Sequence, residues 1–239
     1  MSLYLLHCSP DPRALTVWAT RHRLLSPDGD LGYAIHAVLR AAFGDLAPKP
    51  FRYLGAKQGL LGYTDQPLSA LRESAALVPP DIAQALGLET LAARPFPEVW
   101  RQDQALGFEV RVRPVLRAKD GRERDVFLHA VESAASSTRD ANREAIYADW
   151  LGKRFTEHSA ARLALVAVES FRLSRVIRRS AADASGRRGV RTIMGPDVVL
   201  KGRLQVENSD AFTQILRRGI GRHRAFGFGM VLLKPARSC

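Results

Sequence analysis

Apolar residues open the chain in a short block, Leu3-Tyr4-Leu5-Leu6, that stops at Ser9-Pro10-Asp11-Pro12. A block of that length ended by turn formers predicts a buried strand and a turn. A helical pattern follows around Arg13 to Leu25 and breaks at Ser26-Pro27-Asp28-Gly29. Asp30 is placed to cap a helix from about Leu31 to Phe43, which Gly44 ends. Within it Ile35, Val38, Leu39 and Ala42 recur at helical spacing and form one buried stripe. Strand-like pieces follow at Phe51 to Leu54 and Leu60 to Tyr63, then a helix at Pro67 to Leu77. The prolines between Pro79 and Pro97 make that stretch a poor candidate for continuous structure.

From Gly107 the pattern changes. Phe108 to Arg113 alternates apolar with charged, the signature of a strand with one wet face. A turn at Lys119-Asp120-Gly121 precedes a helix from about Asn142 to Phe155. Leu163 to Val168 and Phe171 to Ile177 read as strands, and Val198 to Val206 as a clear one, with Leu200, Gly202, Leu204 and Val206 on one face. A short helix at Asp210 to Arg217 and an apolar strand at Met230 to Leu233 close the chain. Each half reads β-α-β-β-α-β, so the expected fold class is α+β, two tandem ferredoxin-like domains with antiparallel sheets and helices on one face. The division is expected near residue 105, giving domains 1–105 and 106–239.

Composition narrows the class. The chain has 239 residues, 46% of them apolar, which excludes wholesale disorder. Its apolar runs fall far short of the ~20 residues that span a bilayer, and no leader pattern opens it, so a cytoplasmic protein with no membrane partner is expected. Cys8 and Cys239 offer neither a disulfide framework nor a zinc knuckle. Charge is more telling. Of the net +12, the 68 residues from Arg172 onward hold +11, with 15 basic residues, 13 of them arginine, against Asp183, Asp197, Glu207 and Asp210. A basic half on a nearly neutral half suggests a polyanion-binding surface. A solvated basic face that only aids solubility is the alternative.

Six histidines, His7, His22, His36, His129, His158 and His223, include no helical zinc pair, and there is no nucleophile elbow, phosphate-binding loop or paired-aspartate cluster. No metal and no cofactor is expected. His36 stands out by position: at ~100° per residue, Tyr33, His36 and Arg40 share a flank rotated away from the buried stripe. Imidazole there suits proton transfer near neutral pH, although the same position suits an ordinary surface histidine. The second feature is Arg218-Gly219-Ile220-Gly221-Arg222-His223-Arg224-Ala225-Phe226-Gly227-Phe228-Gly229, whose glycines allow close backbone approach and whose N–H groups can cradle phosphate.

These stretches together resemble CasE, the family of endoribonucleases that cut precursor CRISPR RNA in type I-E systems. Tyr33-Ala34-Ile35-His36 is similar to the family's Tyr-x-x-His, and Phe108 to Arg113 to its arginine-bearing strand. Arg143 to Phe155, with Trp150-Leu151, is similar to its Trp-Leu helix, and Arg217 to Met230 to its closing Gly-rich loop. The resemblance implies tandem RRM-like domains and metal-independent cleavage, in which the RNA 2′-hydroxyl attacks the adjacent phosphate and a cyclic phosphate remains. It implies His36 and Tyr33 as catalytic residues and a cation that offsets phosphorane charge, for which counting back from Gly202 selects Arg191. It implies that Arg40, Arg172, Arg175, Arg178, Arg179, Arg187 and Arg188, with Arg218, Gly219, Gly221, Arg222, His223 and Arg224, hold RNA, the arginine run tracking the phosphates of a repeat hairpin. Expected partners are the CRISPR repeat RNA, the mature crRNA and other subunits of the Cascade complex. The segment Ser9 to Gly32 is long for this family, and the Pro-rich stretch is unusual. A non-catalytic RNA-binding subunit and a nonspecific DNA binder are the rival classes.

Overall fold

The computed structural model describes residues 2–118, 121–133, 142–157, 159–182 and 188–236. The order begins β1 (Tyr4–Cys8), α1 (Pro12–Arg21), α2 (Gly32–Phe43), β2 (Phe51–Tyr53), β3 (Leu60–Thr64), α3 (Leu68–Ser74), α4 (Pro80–Leu86), β4 (Ala92–Pro95). It continues β5 (Ala105–Val112), β6 (Val115–Arg117), β7 (Glu123–Asp125), α5 (Val126–Ser133) and α6 (Arg143–Thr156). Two long strands, β8 (Ala161–Ala182) and β9 (Arg188–Val206), are followed by α7 (Ser209–Arg218) and β10 (Val231–Pro235). The chain divides into two compact units. The first is the chain up to Phe96 with Ser174–Met194 and Ala225–Gly227; the second is Pro97–Leu173, Gly195–Arg224 and the chain from Phe228.

The first sheet has the order β2-β3-β1-β4 and is antiparallel, with Leu6 opposite both Gly62 and Ala93. That order is the ferredoxin-like one. Helix α1 starts where the Asp11 carboxylate accepts from the Ala14 amide at 2.8 Å, with Pro12 at the first helical position, where its missing N–H is not needed. At α2 the capping residue is Leu31, whose side chain makes no cap; Asp30, one residue further out, accepts from the Gly32 amide at 2.9 Å. The stripe Ile35, Val38, Leu39 and Ala42 is buried, in one cluster with Leu15, Trp18, Phe43 and Leu60. Burial of each large aliphatic side chain stabilises by about 1.5–3 kcal/mol, so this stripe fixes the rotation of α2 about its axis. The Pro-rich stretch corrects its expectation, because it holds both α4 and β4. Pro80 opens α4, where the ring is tolerated, and Pro95 ends β4, an edge strand that demands no inner ladder donor there.

The second sheet has the order β10-β5-β9-β8, the same ferredoxin-like order, with Phe108 opposite Gly202 and Leu233. Leu106, Phe108, Val110 and Val112 are buried with Val198, Leu200, Leu204 and Val206. Asn142 caps α6, accepting from the Glu144 and Ala145 amides at 2.9 and 3.3 Å. The two strand pieces expected at 163–177 are one strand, continued through Glu169, which pairs with Lys201 on β9. Strand β9 also starts ten residues earlier than Val198, at Arg188. The hairpin β6–β7 and helix α5 were not expected. Lys119, Asp120 and His158 lie outside the described residues.

One expectation for β5 is overturned. Arg113 is not on a wet face; it is 1% exposed, its guanidinium carbon 5.7 Å from the Phe228 ring centre, with that of Arg111 4.3 Å from the same ring. Asp197, also buried, accepts from Arg111 Nε at 2.7 Å and Nη2 at 2.6 Å, and from Arg172 Nε at 2.8 Å. Burial alone would raise its carboxyl, but the hydrogen bonds and charges of Arg111 and Arg172 hold it below its ordinary value. Replacing Asp197 with Ala strands the largely buried Arg111 guanidinium and is expected to cost about 3–5 kcal/mol in urea unfolding. A variant as stable as the native chain would contradict this role.

Candidate functional site

With its apolar stripe in the core, α2 turns Tyr33 and His36 to its open flank, their ring centroids 6.4 Å apart. The closing Gly-rich loop supplies a third ring. Phe226 lies 5.5 Å from Tyr33 and 5.6 Å from His36, meeting the imidazole edge-on at 80°. This approach depends on Gly32, where a Cβ would sit 2.2 Å from the Phe226 carbonyl oxygen. Two features found separately in the sequence thus meet at one residue that sequence reading did not single out. Its only signal was its place in the Gly-rich loop.

His36 is half-buried. Burial, and then the positive charges of Arg40 and Lys49, push its pKa below the usual 6.5. That direction favours the neutral imidazole, the form that accepts a proton. Arg40 donates to Asp45 at 2.7 Å, at the exposed end of its own helix. Lys49, exposed and absent from the sequence-based site, is the other cation felt at His36.

The long segment before α2 also has a role. Asp28 Oδ2 accepts from the Arg175 amide at 2.6 Å, and the Ser26 hydroxyl donates to the Arg175 carbonyl at 2.8 Å. These bonds hold β8 by its backbone and leave the Arg175 side chain exposed. Arg178, Arg179, Arg188 and Arg191 lie on β8 and β9, with side chains outside the described residues, as is all of Arg187. Arg172, in the second unit, pairs with Asp197.

In that second unit the loop is anchored on Glu123. Arg222 Nε and His223 Nε2 each lie 2.6 Å from its carboxylate oxygens. His223 is thereby buried against β7 rather than presented to solvent. Arg224 donates to the Arg218 carbonyl at 2.9 Å. Burial would raise Glu123, but His223 and Arg222 hold its carboxyl down to about 2. Among the described residues no group of three or more His, Cys, Asp or Glu could hold a metal ion. Cys8 is no nucleophile: burial, then the charge of Glu89, raises its thiol to about 12.

Two sheets in ferredoxin-like order, a histidine-bearing helix after the first strand and a Gly-rich loop before the last define the class: a tandem ferredoxin-like protein. The chain belongs to the CRISPR-associated protein family, whose sequence model matches residues 3–235. No curated protein sequence matches it. Among solved structures it is similar to Thermus thermophilus Cse3 bound to an RNA representing a pre-cleavage complex, at 20% identity over 98% of this chain and 100% of that one, with a TM-score of 0.57. It is similar to Cas6e from Escherichia coli K-12, at 15% identity over 98% and 100%, with a TM-score of 0.51. A chain of a CRISPR RNA-guided surveillance complex in a pre-nicking state matches at 16% identity over 96% and 98%, with a TM-score of 0.55. No helix of the described residues is long and apolar enough to cross a membrane.

Two measurements follow from these contacts. Phe226→Ala uncovers the imidazole, so the His36 titration midpoint followed by NMR should rise toward 6.5; an unmoved midpoint would mean the ring does not shield it. Glu123 has a folded pKa below its ordinary 4.5, so its contribution is complete above that pH and fades as pH falls through about 2. Glu123→Gln should therefore cost about 1–3 kcal/mol near neutral pH, a gap that narrows below pH 4.5. A gap independent of pH would remove the ion pair as its cause.

Proposed function

We propose that this chain is a metal-independent endoribonuclease of the CasE type. It binds the CRISPR repeat hairpin, cuts precursor CRISPR RNA, and stays on the mature crRNA as a subunit of the Cascade surveillance complex. The observation that carries the reading is the placing of His36 beside Tyr33, with Phe226 of the closing loop against its ring. Membership of the CRISPR-associated family supports it, as do the likenesses to an RNA-bound Cse3 and to a surveillance-complex chain. In this reading residues 1–105 form the catalytic domain and 106–239 the domain that holds RNA. The protein works in the cytoplasm.

The chemistry follows from the groups present. His36 takes the proton of the 2′-hydroxyl as its oxygen bonds to the adjacent phosphorus; the bond from phosphorus to the 5′-oxygen breaks and the departing oxygen takes a proton from water, leaving a 2′,3′-cyclic phosphate and a 5′-hydroxyl. Tyr33 offers a hydrogen bond to the phosphate. Arg191 is the residue we assign to offset charge on the phosphorane, with Arg40 and Lys49 adding to the positive field at His36. Exposed arginines such as Arg175 hold the hairpin phosphates.

Single-turnover cleavage of the host repeat RNA in excess EDTA, beside a binding titration, tests this. The native chain should cut without added metal. His36→Ala should cut at least about a hundredfold more slowly while affinity barely changes, because neutral imidazole adds little attraction. Native-rate cutting by His36→Ala would remove the histidine from the mechanism. Binding without cutting by the native chain would make it a non-catalytic RNA-binding subunit.

A further inference from the structure

The second unit carries a cavity of about 710 Å³, to which α6, α7, β6 and the turn after α7 contribute. No step of the proposed reaction uses it. Five arginines, Arg117, Arg154, Arg218, Arg222 and Arg224, border it against a single acid, Glu157. Two of the five are paired, Arg154 with Glu157 at 2.8 Å and Arg222 with Glu123 at 2.6 Å. Arg117, Arg218 and Arg224 have no acidic partner among the described residues. The cavity therefore presents a surplus of positive charge that the protein itself does not neutralise.

Two buried donors lie behind its wall. Trp150 is 7% exposed, and its indole N–H, like the Nε of Arg154, is buried with no hydrogen-bond partner. The wall is otherwise apolar at Val115, Ile215 and Ile220. At Gly221, with φ +73°, a Cβ would lie 3.1 Å from Trp150 Cη2, so glycine keeps the backbone close to the indole.

A concave space of this size suits a small ligand, whereas an A-form duplex is a convex cylinder that cannot enter it. Unpaired nucleotides fit both requirements. Their phosphates match the unpartnered guanidinium groups, and their bases match apolar walls and flat guanidinium faces. An acidic peptide would satisfy the charge but has no flat heterocycle for those faces. We propose that this cavity binds one or two unpaired nucleotides next to the repeat hairpin. The assignment deepens the reading of the chain as an RNA-binding protein and rests on it.

Fluorescence anisotropy on the full chain tests it with labelled probes: the repeat hairpin with blunt ends, the same hairpin with a short single-stranded extension, and short homopolymers of A, C, G and U. The extension should tighten binding by the native chain at least about fivefold. Arg117→Gln and Arg154→Gln, each folded as judged by its melting curve, should bind the blunt hairpin as the native chain does and lose that gain. A gain that persists in both variants, or no gain in the native chain, overturns the proposal. Weaker binding of the blunt hairpin by the variants would assign the cavity to the stem and overturn it too. If the native chain binds no hairpin, the functional reading fails and the homopolymers decide the cavity. Binding of at least one, lost in both variants, supports it, and binding of none overturns it. Competition by polyglutamate as effective as that by the homopolymer would reduce the site to plain charge attraction.

Discussion

The candidate site depends on one close approach, the Phe226 carbonyl against Gly32 at the start of α2. It brings a ring from near the end of the chain onto a histidine near its beginning. Two earlier constraints make it possible. The apolar stripe fixes which way α2 faces, and the Asp30 carboxylate ties down its first turn. Without the first, His36 would have no defined direction; without the glycine, the loop could not reach it. Covering by Phe226 then withdraws the imidazole from water and favours its neutral form, so packing and acid–base behaviour have the same origin.

Buried carboxylates organise the basic half in a comparable way. Asp197 gathers Arg111 and Arg172, and Glu123 gathers Arg222 and His223. Each acid is desolvated, a penalty that only paired cations offset, so these arginines are structural before they are anything else. The charge excess of this half is therefore larger than the charge it offers a ligand. What remains exposed includes Arg175, held in place by its backbone, and Arg117 and Arg218 at the cavity of the second unit.

Much of this was legible in the sequence. The α2 stripe was readable because helical periodicity and burial report on the same face, and β5 and the later part of β9 because strict alternation does the same for strands. Both sheets in ferredoxin-like order agree with the repeated β-α-β-β-α-β pattern. What escaped was long-range or context-dependent. Phe226 meets His36 across most of the chain, and nothing local marks it. Proline counted against order between Pro79 and Pro97, yet Pro79, Pro80 and Pro95 fall at element ends where they are harmless. Arg113 looked solvated because charge usually is, and only the three-dimensional neighbourhood shows it beneath Phe228. Glu123 and Lys49 had no motif to announce them.

The central claim is that an RNA 2′-hydroxyl, deprotonated at His36, is the nucleophile. Replacing that hydroxyl with hydrogen at the scissile nucleotide of the repeat RNA, and analysing products by mass spectrometry, tests it most directly. The account predicts a 2′,3′-cyclic phosphate end on the native RNA and no cleavage of the deoxy substrate. Cleavage of the deoxy RNA at a comparable rate would make water the nucleophile and contradict the account.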